Sequence, residues 1–182
     1  MCIRDSVLLD WLSEGKEHWR SSVINFTRNW LKEGLIDRAV TRDLDWGIEI
    51  PREGYENKRM YVWFEAVMGY YSASVHWAKN KGKPEEWKKW WENEDSEHYY
   101  FMAKDNIPFH TIIWPAMLSG CGYKLPYDVP ANEYLLLDSS QFSKSRRHAI
   151  WIPDYLDRYD PELLRFYPVS YTHLRAHETV SH

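Results

Sequence analysis

"HYYFMAKDN", residues 98–106, is an aromatic and apolar run of strand length that breaks abruptly into three polar residues. Tyr, Phe and Met suit a pleated, half-buried surface, so "HYYFMA" (98–103) reads as a strand and "KDN" (104–106) as the loop it feeds. Two further runs have the same character: "MYVWF" (60–64) and "EYLLL" (133–137). Helical spacing separates the three. Mainly apolar strands alternating with helices predict an α/β fold around a parallel sheet. In such sheets ligands gather at the carboxyl ends of the strands. The residues after 64, the "KDN" turn and the loop after 137 are thereby expected around one crevice.

The intervening helices follow from periodicity and punctuation. Ser22 caps "SVINFTRNWLKEG" (22–34), with Val23, Phe26 and Trp30 on one face and Gly34 as the stop. "AVTRDLDWGIEIP" (39–51) reads as extended or turning chain. Val67, Tyr70, Tyr71, Ser74 and Trp77 predict a helix after the first strand. "PEEWKKWWEN" (84–93) is a short amphipathic helix opened by Pro84. "FHTIIWPAMLSGCG" (109–122) is helical, with Pro115 marking a kink or an irregular turn. Pro153 and Pro161 each start a short helix.

Composition bounds the function. The 182 residues and 22.0 kDa suffice for one ordinary domain with a sizeable core. A net charge of −4 argues against a chain that coats nucleic acid electrostatically. Eleven Trp and thirteen Tyr supply large buried area and stacking surfaces. With only Cys2 and Cys121 there is neither a disulfide framework nor a cysteine-based zinc site, so a cytoplasmic setting is the simple expectation. No apolar run has the length of a membrane span, and no membrane partner is expected.

The loop after the third apolar run is "QFSKSRRHAI" (141–150). Five of its ten residues are Ser, Lys or Arg, in a chain that is otherwise mildly acidic. Alone, "SKS" is more often a solvated turn than a phosphate loop. Its place after a strand favours an anion.

Four stretches occur together: "TRDLDWGIEIP" (41–51), "YVWFEAVMGY" (61–70), "AKDNIPFHTIIWPAML" (103–118) and "FSKSR" (142–146). In this order and spacing they resemble methionyl-tRNA synthetases, over roughly residues 7–167. "FSKSR" is similar to the second signature of class I aminoacyl-tRNA synthetases, usually written KMSKS. The "AKDN" and "FSKS" spellings look closer to the archaeal and eukaryotic-type branch. The resemblance implies an incomplete Rossmann-like (HUP-type) parallel sheet with flanking helices, from the second half of a class I catalytic domain. It implies methionine, ATP with Mg²⁺ and tRNA(Met) as substrates, no metal site within this stretch, and the remainder of the synthetase as a missing partner.

The resemblance also assigns residues. Lys144, between Ser143 and Ser145, is placed to contact ATP phosphates, where charge builds on the leaving pyrophosphate. Trp63, Ala66, Tyr70 and His110 match positions of the methionine side-chain pocket. A thioether has almost no hydrogen-bonding capacity, so shape and aromatic contact with sulfur must select it. Phe109 is expected beside them. Trp114 either touches the ligand or joins the core. Asp105 is the natural partner for a ligand ammonium or a ribose hydroxyl, with Arg42 orienting its carboxylate. Without the flanking motifs, Trp63 and Tyr70 would read as core aromatics and "TRD" as a surface ion pair.

This chain departs from the family pattern at Gln141, where Lys or Arg is common, at Arg147, where Gly usually follows the Arg, and at Val67, where Pro is usual. The His-containing first signature, the zinc-bearing insertion and the anticodon-binding helices are not among its residues, so no activity is expected from it alone. Residues 1–6 and 168–182 look out of character, and a foreign or frayed tail explains them more simply than a metal site at His173, His177 and His182. Two other readings compete: another class I synthetase with an apolar pocket, for Ile, Leu or Val, and a non-catalytic synthetase-like binding module.

Overall fold

In the computed structural model, which describes residues 5–178, the run expected as a strand at 60–64 is the start of a helix. Arg59–Met60 forms β2, which pairs antiparallel with β1 (Thr41–Arg42), Thr41 opposite Met60 and Arg42 opposite Arg59. Tyr61 keeps extended angles and α3 runs from Val62 to Asn80. Local β-propensity loses to the longer period: Phe64, Val67 and Ala78 are buried on one side of a nineteen-residue helix. Glu65 in the first turn complements the helix dipole.

Two helices precede this pair, α1 (Asp5–Ser13) and α2 (Ser21–Glu33). Gly34, at φ 87°, ends α2. The buried face of α2 is Val23, Thr27 and Leu31, whereas Phe26 is exposed. The expected stripe of Val23, Phe26 and Trp30 is thus displaced onto the i+4 row. It is fixed there by a buried contact, the hydroxyls of Thr27 and Thr111 lying 2.9 Å apart. Leu8, Leu12, Trp19, Val23 and Leu31 form one core cluster with Ile107, Ile112 and Val129.

"HYYFMA" is extended as expected. Tyr99 bridges Asp128 in parallel sense, Tyr100 N–H donates to the Asp128 carbonyl at 3.0 Å, and Met102 N–H to that of Pro130 at 3.2 Å. The regular part of this strand is β3 (Met102–Ala103), and the facing segment runs on into β4 (Ala131–Asn132). Side chains alternate: Tyr100 is buried while Tyr99 and Phe101 are exposed. Among the described residues every sheet is two-stranded, so the parallel sheet is reduced to this ladder.

After β3 come a 3₁₀ turn (Lys104–Asn106), a π-helical turn (Phe109–Ile113) and α5 (Trp114–Cys121). Pro115 explains the widened turn. It has no N–H for the Thr111 carbonyl, and its ring would crowd that carbonyl in a regular α-helix. Against α5 and α3 packs α4 (Lys88–Trp91), whose Trp91 is buried with Val67, Tyr100, Trp114 and Leu118 in a second cluster.

The chain divides into two compact units, the first ending at Ala131 and the second beginning at Asn132. In the second, "EYLLL" contributes only β5 (Leu136–Leu137), which pairs antiparallel with β6 (Ser140–Gln141). The two residues between them, Asp138 and Ser139, have φ of 48° and 62°, as a two-residue hairpin turn twisted to match its strands requires. The expected third parallel strand is therefore a hairpin arm. Pro153 lies in the first turn of α6 (Ile152–Leu156), and Pro161 opens α7 (Pro161–Glu178). The stretch from 168, read as lacking periodicity, continues α7 to Glu178 with Pro168 inside it. The side chains of His173, His177 and His182 lie outside the described residues.

Candidate active site

Helix α3 and the π-helical turn place five of the expected residues around one cavity of about 260 Å³. Trp63, Ala66 and Tyr70 come from α3 at i, i+3 and i+7, so they share a face. Phe109 and His110 come from the π turn, and the Trp63 and Phe109 rings stack at 4.8 Å. Val67, Phe101, Met102 and Asn106 complete the lining. Phe101 and Met102 were not singled out from sequence, although they end the one strand that runs into a polar turn. No Asp, Glu, Lys or Arg lines the cavity. It suits a neutral, polarisable group.

The polar atoms of this wall form one couple. Tyr70 Oη and His110 Nε2 are 2.9 Å apart, and His110 Nδ1 is 3.0 Å from the Asn106 carbonyl oxygen. Burial lowers the His110 pKa, and burial also raises that of Tyr70. Trp114 stands behind the cavity. It is buried, its indole N–H donates to Tyr100 Oη at 2.9 Å, and its ring lies 5.7 Å from that of Trp91. Burial pushes the Tyr100 phenol up to about 12.

Asp105 is exposed in the 3₁₀ turn, where the Asn106 amide donates to its Oδ1 at 3.4 Å. Arg42 is engaged elsewhere. Its guanidinium donates to the Ala39 and Thr41 carbonyls, both at 2.9 Å, and stacks 3.8 Å from the Tyr61 ring centroid.

In the second unit, Ser143 and His148 exchange backbone hydrogen bonds of 2.9 and 3.0 Å, closing a four-residue connection that carries Lys144 and Ser145. His148 Nε2 donates to the Leu137 carbonyl at 2.8 Å, and the Ser143 and Ser145 hydroxyls are 3.3 Å apart. Lys144 is exposed and has no ion-pair partner among the described residues. Arg147 closes the connection at φ 55°. That is where the family pattern has glycine, and the geometry supplies the reason: a Cβ is strained in this region. Arg147→Gly is expected to stabilise the second unit by about 1 kcal/mol, read as a raised midpoint in urea.

A pH dependence follows from two histidines of the first unit. Burial is the main cause lowering the pKa of both His98 and His110 below their ordinary 6.5. The unfolded chain then binds protons more readily than the folded one between the two values. Stability is fully present above the ordinary imidazole pKa and is lost as pH falls through it toward the folded-state value. Thermal midpoints are expected to drop as pH falls from neutral through the ordinary imidazole value of 6.5, less steeply in His110→Phe. A midpoint that rises on acidification contradicts this.

The match to a family model decides the affiliation: the tRNA synthetases of class I (M) match over residues 4–181. The chain belongs to this family. Methionine–tRNA ligase of Dehalococcoides mccartyi is 61% identical over 160 residues, covering 87% of this chain and 29% of that protein. That of Thermomicrobium roseum is 55% identical over 159 residues, with 86% and 27% covered. The chain thus spans under a third of the length of the relatives it matches. A solved structure of Mycobacterium tuberculosis methionyl-tRNA synthetase in complex with methionyl-adenylate superposes with a TM-score of 0.65 at 23% identity, over 81% of this chain and 28% of that one. This likeness bears on the fold, which is the α/β fold of a class I synthetase catalytic domain. Among the described residues no cluster of three or more His, Cys, Asp or Glu could hold a metal ion, and no helix is long and apolar enough to cross a membrane.

Proposed function

We propose that this segment supplies the methionine side-chain pocket and the phosphate-facing lysine of a methionine–tRNA ligase. The observation that carries the reading is the cavity of Trp63, Ala66, Tyr70, Phe109 and His110, which is aromatic, free of charged side chains and furnished with one polar couple. A thioether satisfies such a wall; a charged or strongly hydrogen-bonding side chain does not. The relatives named above are methionine–tRNA ligases, which supports the same substrate.

In this reading the methionine carboxylate attacks the α-phosphorus of ATP, the bond to the β-phosphate oxygen breaks, and Mg²⁺-pyrophosphate leaves. The methionyl group then passes to tRNA(Met), and the cytoplasm is the compartment. Trp63 and Phe109 hold the side chain by stacking, while exposed Asp105 at the adjoining turn meets the ammonium or a ribose hydroxyl. Ser143, Lys144 and Ser145 present an ammonium and two hydroxyls to the phosphates, where negative charge develops. Arg42 supports the turn around Tyr61. Trp114 acts from behind, through Tyr100.

Methionine-dependent pyrophosphate exchange tests the proposal. The complete polypeptide containing this segment is expected to catalyse it, and the 182-residue chain alone is expected not to. Exchange supported by isoleucine, leucine or valine in place of methionine would reassign the pocket. Trp63→Ala in the complete polypeptide is expected to raise the methionine KM about tenfold with little change in kcat, because a stacking contact present in ground and transition states alike is uniform binding.

A further inference from the structure

The first unit holds a second and larger cavity, of about 390 Å³. It is walled by the end of α1 with the turn after it, by the segment after α4 and by the segment after α5. The last two segments lead into the parallel ladder of Tyr99 and Asp128, so this cavity lies at the amino ends of its strands. Phe101, Met102 and Asn106 line the aromatic cavity at the carboxyl end. The frame is tied across the chain. Lys124 N–H donates to the Trp91 carbonyl at 3.1 Å, and His18 Nε2 and the Trp19 indole N–H both donate to the Tyr127 carbonyl, at 2.8 and 2.6 Å.

Charge is spread unevenly over the wall. Lys124 is engaged, its ammonium donating to the Glu94 carbonyl and lying 3.4 Å from the Glu94 carboxylate. Glu92 and Glu94 are exposed, where water and salt screen them. Lys16 is half-buried and forms no ion pair among the described residues. Its ammonium lies 4.9 Å from the ring centroid of Trp11 and 5.8 Å from that of Trp19. Burial lowers its pKa, against a smaller opposing effect of Glu17. A second group lacks a counterpart. Trp91 is 4% exposed, and its indole nitrogen, which can only donate, is buried with no hydrogen-bond partner among the described residues. A negatively charged acceptor relieves both costs. Trp11, Tyr123 and Tyr127 add flat apolar faces to the same wall.

We propose that this cavity is a binding site for a small planar aromatic carboxylate, with Lys16 pairing with the carboxylate and the aromatic wall covering the plane. The volume is that of an ordinary small-molecule site. One free ammonium and one free N–H match the two oxygens of a carboxylate, whereas a phosphate dianion demands further donors. The site does not depend on the methionine reading, since it shares no residue with the aromatic cavity.

Binding of fluoronaphthoate, a planar aryl carboxylate, to the complete polypeptide tests this by fluorine NMR, with the uncharged fluoronaphthamide as the control. The carboxylate is expected to bind about tenfold more tightly than the amide or better. Lys16→Met removes the ammonium and keeps a chain of similar length. It is expected to weaken the carboxylate about tenfold and to leave the amide within about twofold. Saturating methionine is expected not to displace the probe. Equal affinity for acid and amide in the parent overturns the proposal with no variant having to fold. So does a Lys16→Met protein that keeps the parental affinity for the carboxylate, displacement by methionine, or no binding of the carboxylate at millimolar concentration. A parent that binds the probe as expected and activates no methionine overturns the functional reading alone.

Discussion

Lys144→Ala is expected to slow adenylate formation in the complete polypeptide on the order of a hundredfold while changing methionine affinity little. The physical basis is where the charge is needed. As the α-phosphorus–oxygen bond breaks, negative charge accumulates on the departing pyrophosphate, and an ammonium there stabilises the transition state more than the bound ground state. Losing one such preorganised contact typically costs ~3 kcal/mol. The local structure leaves Lys144 accessible for the proposed role. Lys144 projects from a connection pinned by the Ser143–His148 pair and by His148 on the Leu137 carbonyl, and no acidic partner among the described residues competes for it. Single-turnover rates at saturating methionine and ATP separate chemistry from binding. A rate within about twofold of the parent would make the loop a solvated turn.

The second large effect is on stability. Trp114→Ala is expected to destabilise the first unit by about 3–5 kcal/mol, the range for truncating a fully buried tryptophan. The indole is 3% exposed, packs against Trp91 and Leu118, and is the donor to buried Tyr100 Oη. Its loss opens a large cavity and leaves that phenol oxygen short of a partner. Urea unfolding followed by far-UV circular dichroism measures the change. The contrast with Trp63→Ala is diagnostic, because Trp63 is 42% exposed on the cavity and should cost far less stability. If Trp114→Ala instead left the unfolding midpoint intact and raised the methionine KM, the indole would belong to the ligand.

Trp63, Ala66, Tyr70, Phe109 and His110 were named in sequence through the family resemblance, since without the flanking motifs Trp63 and Tyr70 read as core aromatics. The strand expected at 60–64 would have separated Trp63 from Ala66 and Tyr70; the helix that begins at Val62 is what puts all three on one face. Phe109 and His110 follow the turn that ends the strand running from residue 98. The sheet was less legible. "MYVWF" and "EYLLL" have strand-like composition, but a short apolar run carries no information about whether a neighbouring strand exists to pair with it. The first joins a nineteen-residue helix, and the second folds back through Asp138 and Ser139 onto its own continuation.

The side-chain chemistry divides along the same line. Residue order by itself places a lysine between two serines and a residue other than glycine at position 147, while the aromatic pocket was what the family resemblance implied. Tertiary structure alone decided that Arg42 stacks on Tyr61 while Asp105 remains exposed, and that Trp114 serves the core. It alone decided that the Tyr70 phenol meets His110 Nε2 at 2.9 Å while the Asn106 carbonyl oxygen lies 3.0 Å from the other ring nitrogen. Spacing along a helix places side chains on a face. The partner in a hydrogen bond, and the choice between ligand contact and core, depend on which atoms three-dimensional packing brings within about 3 Å.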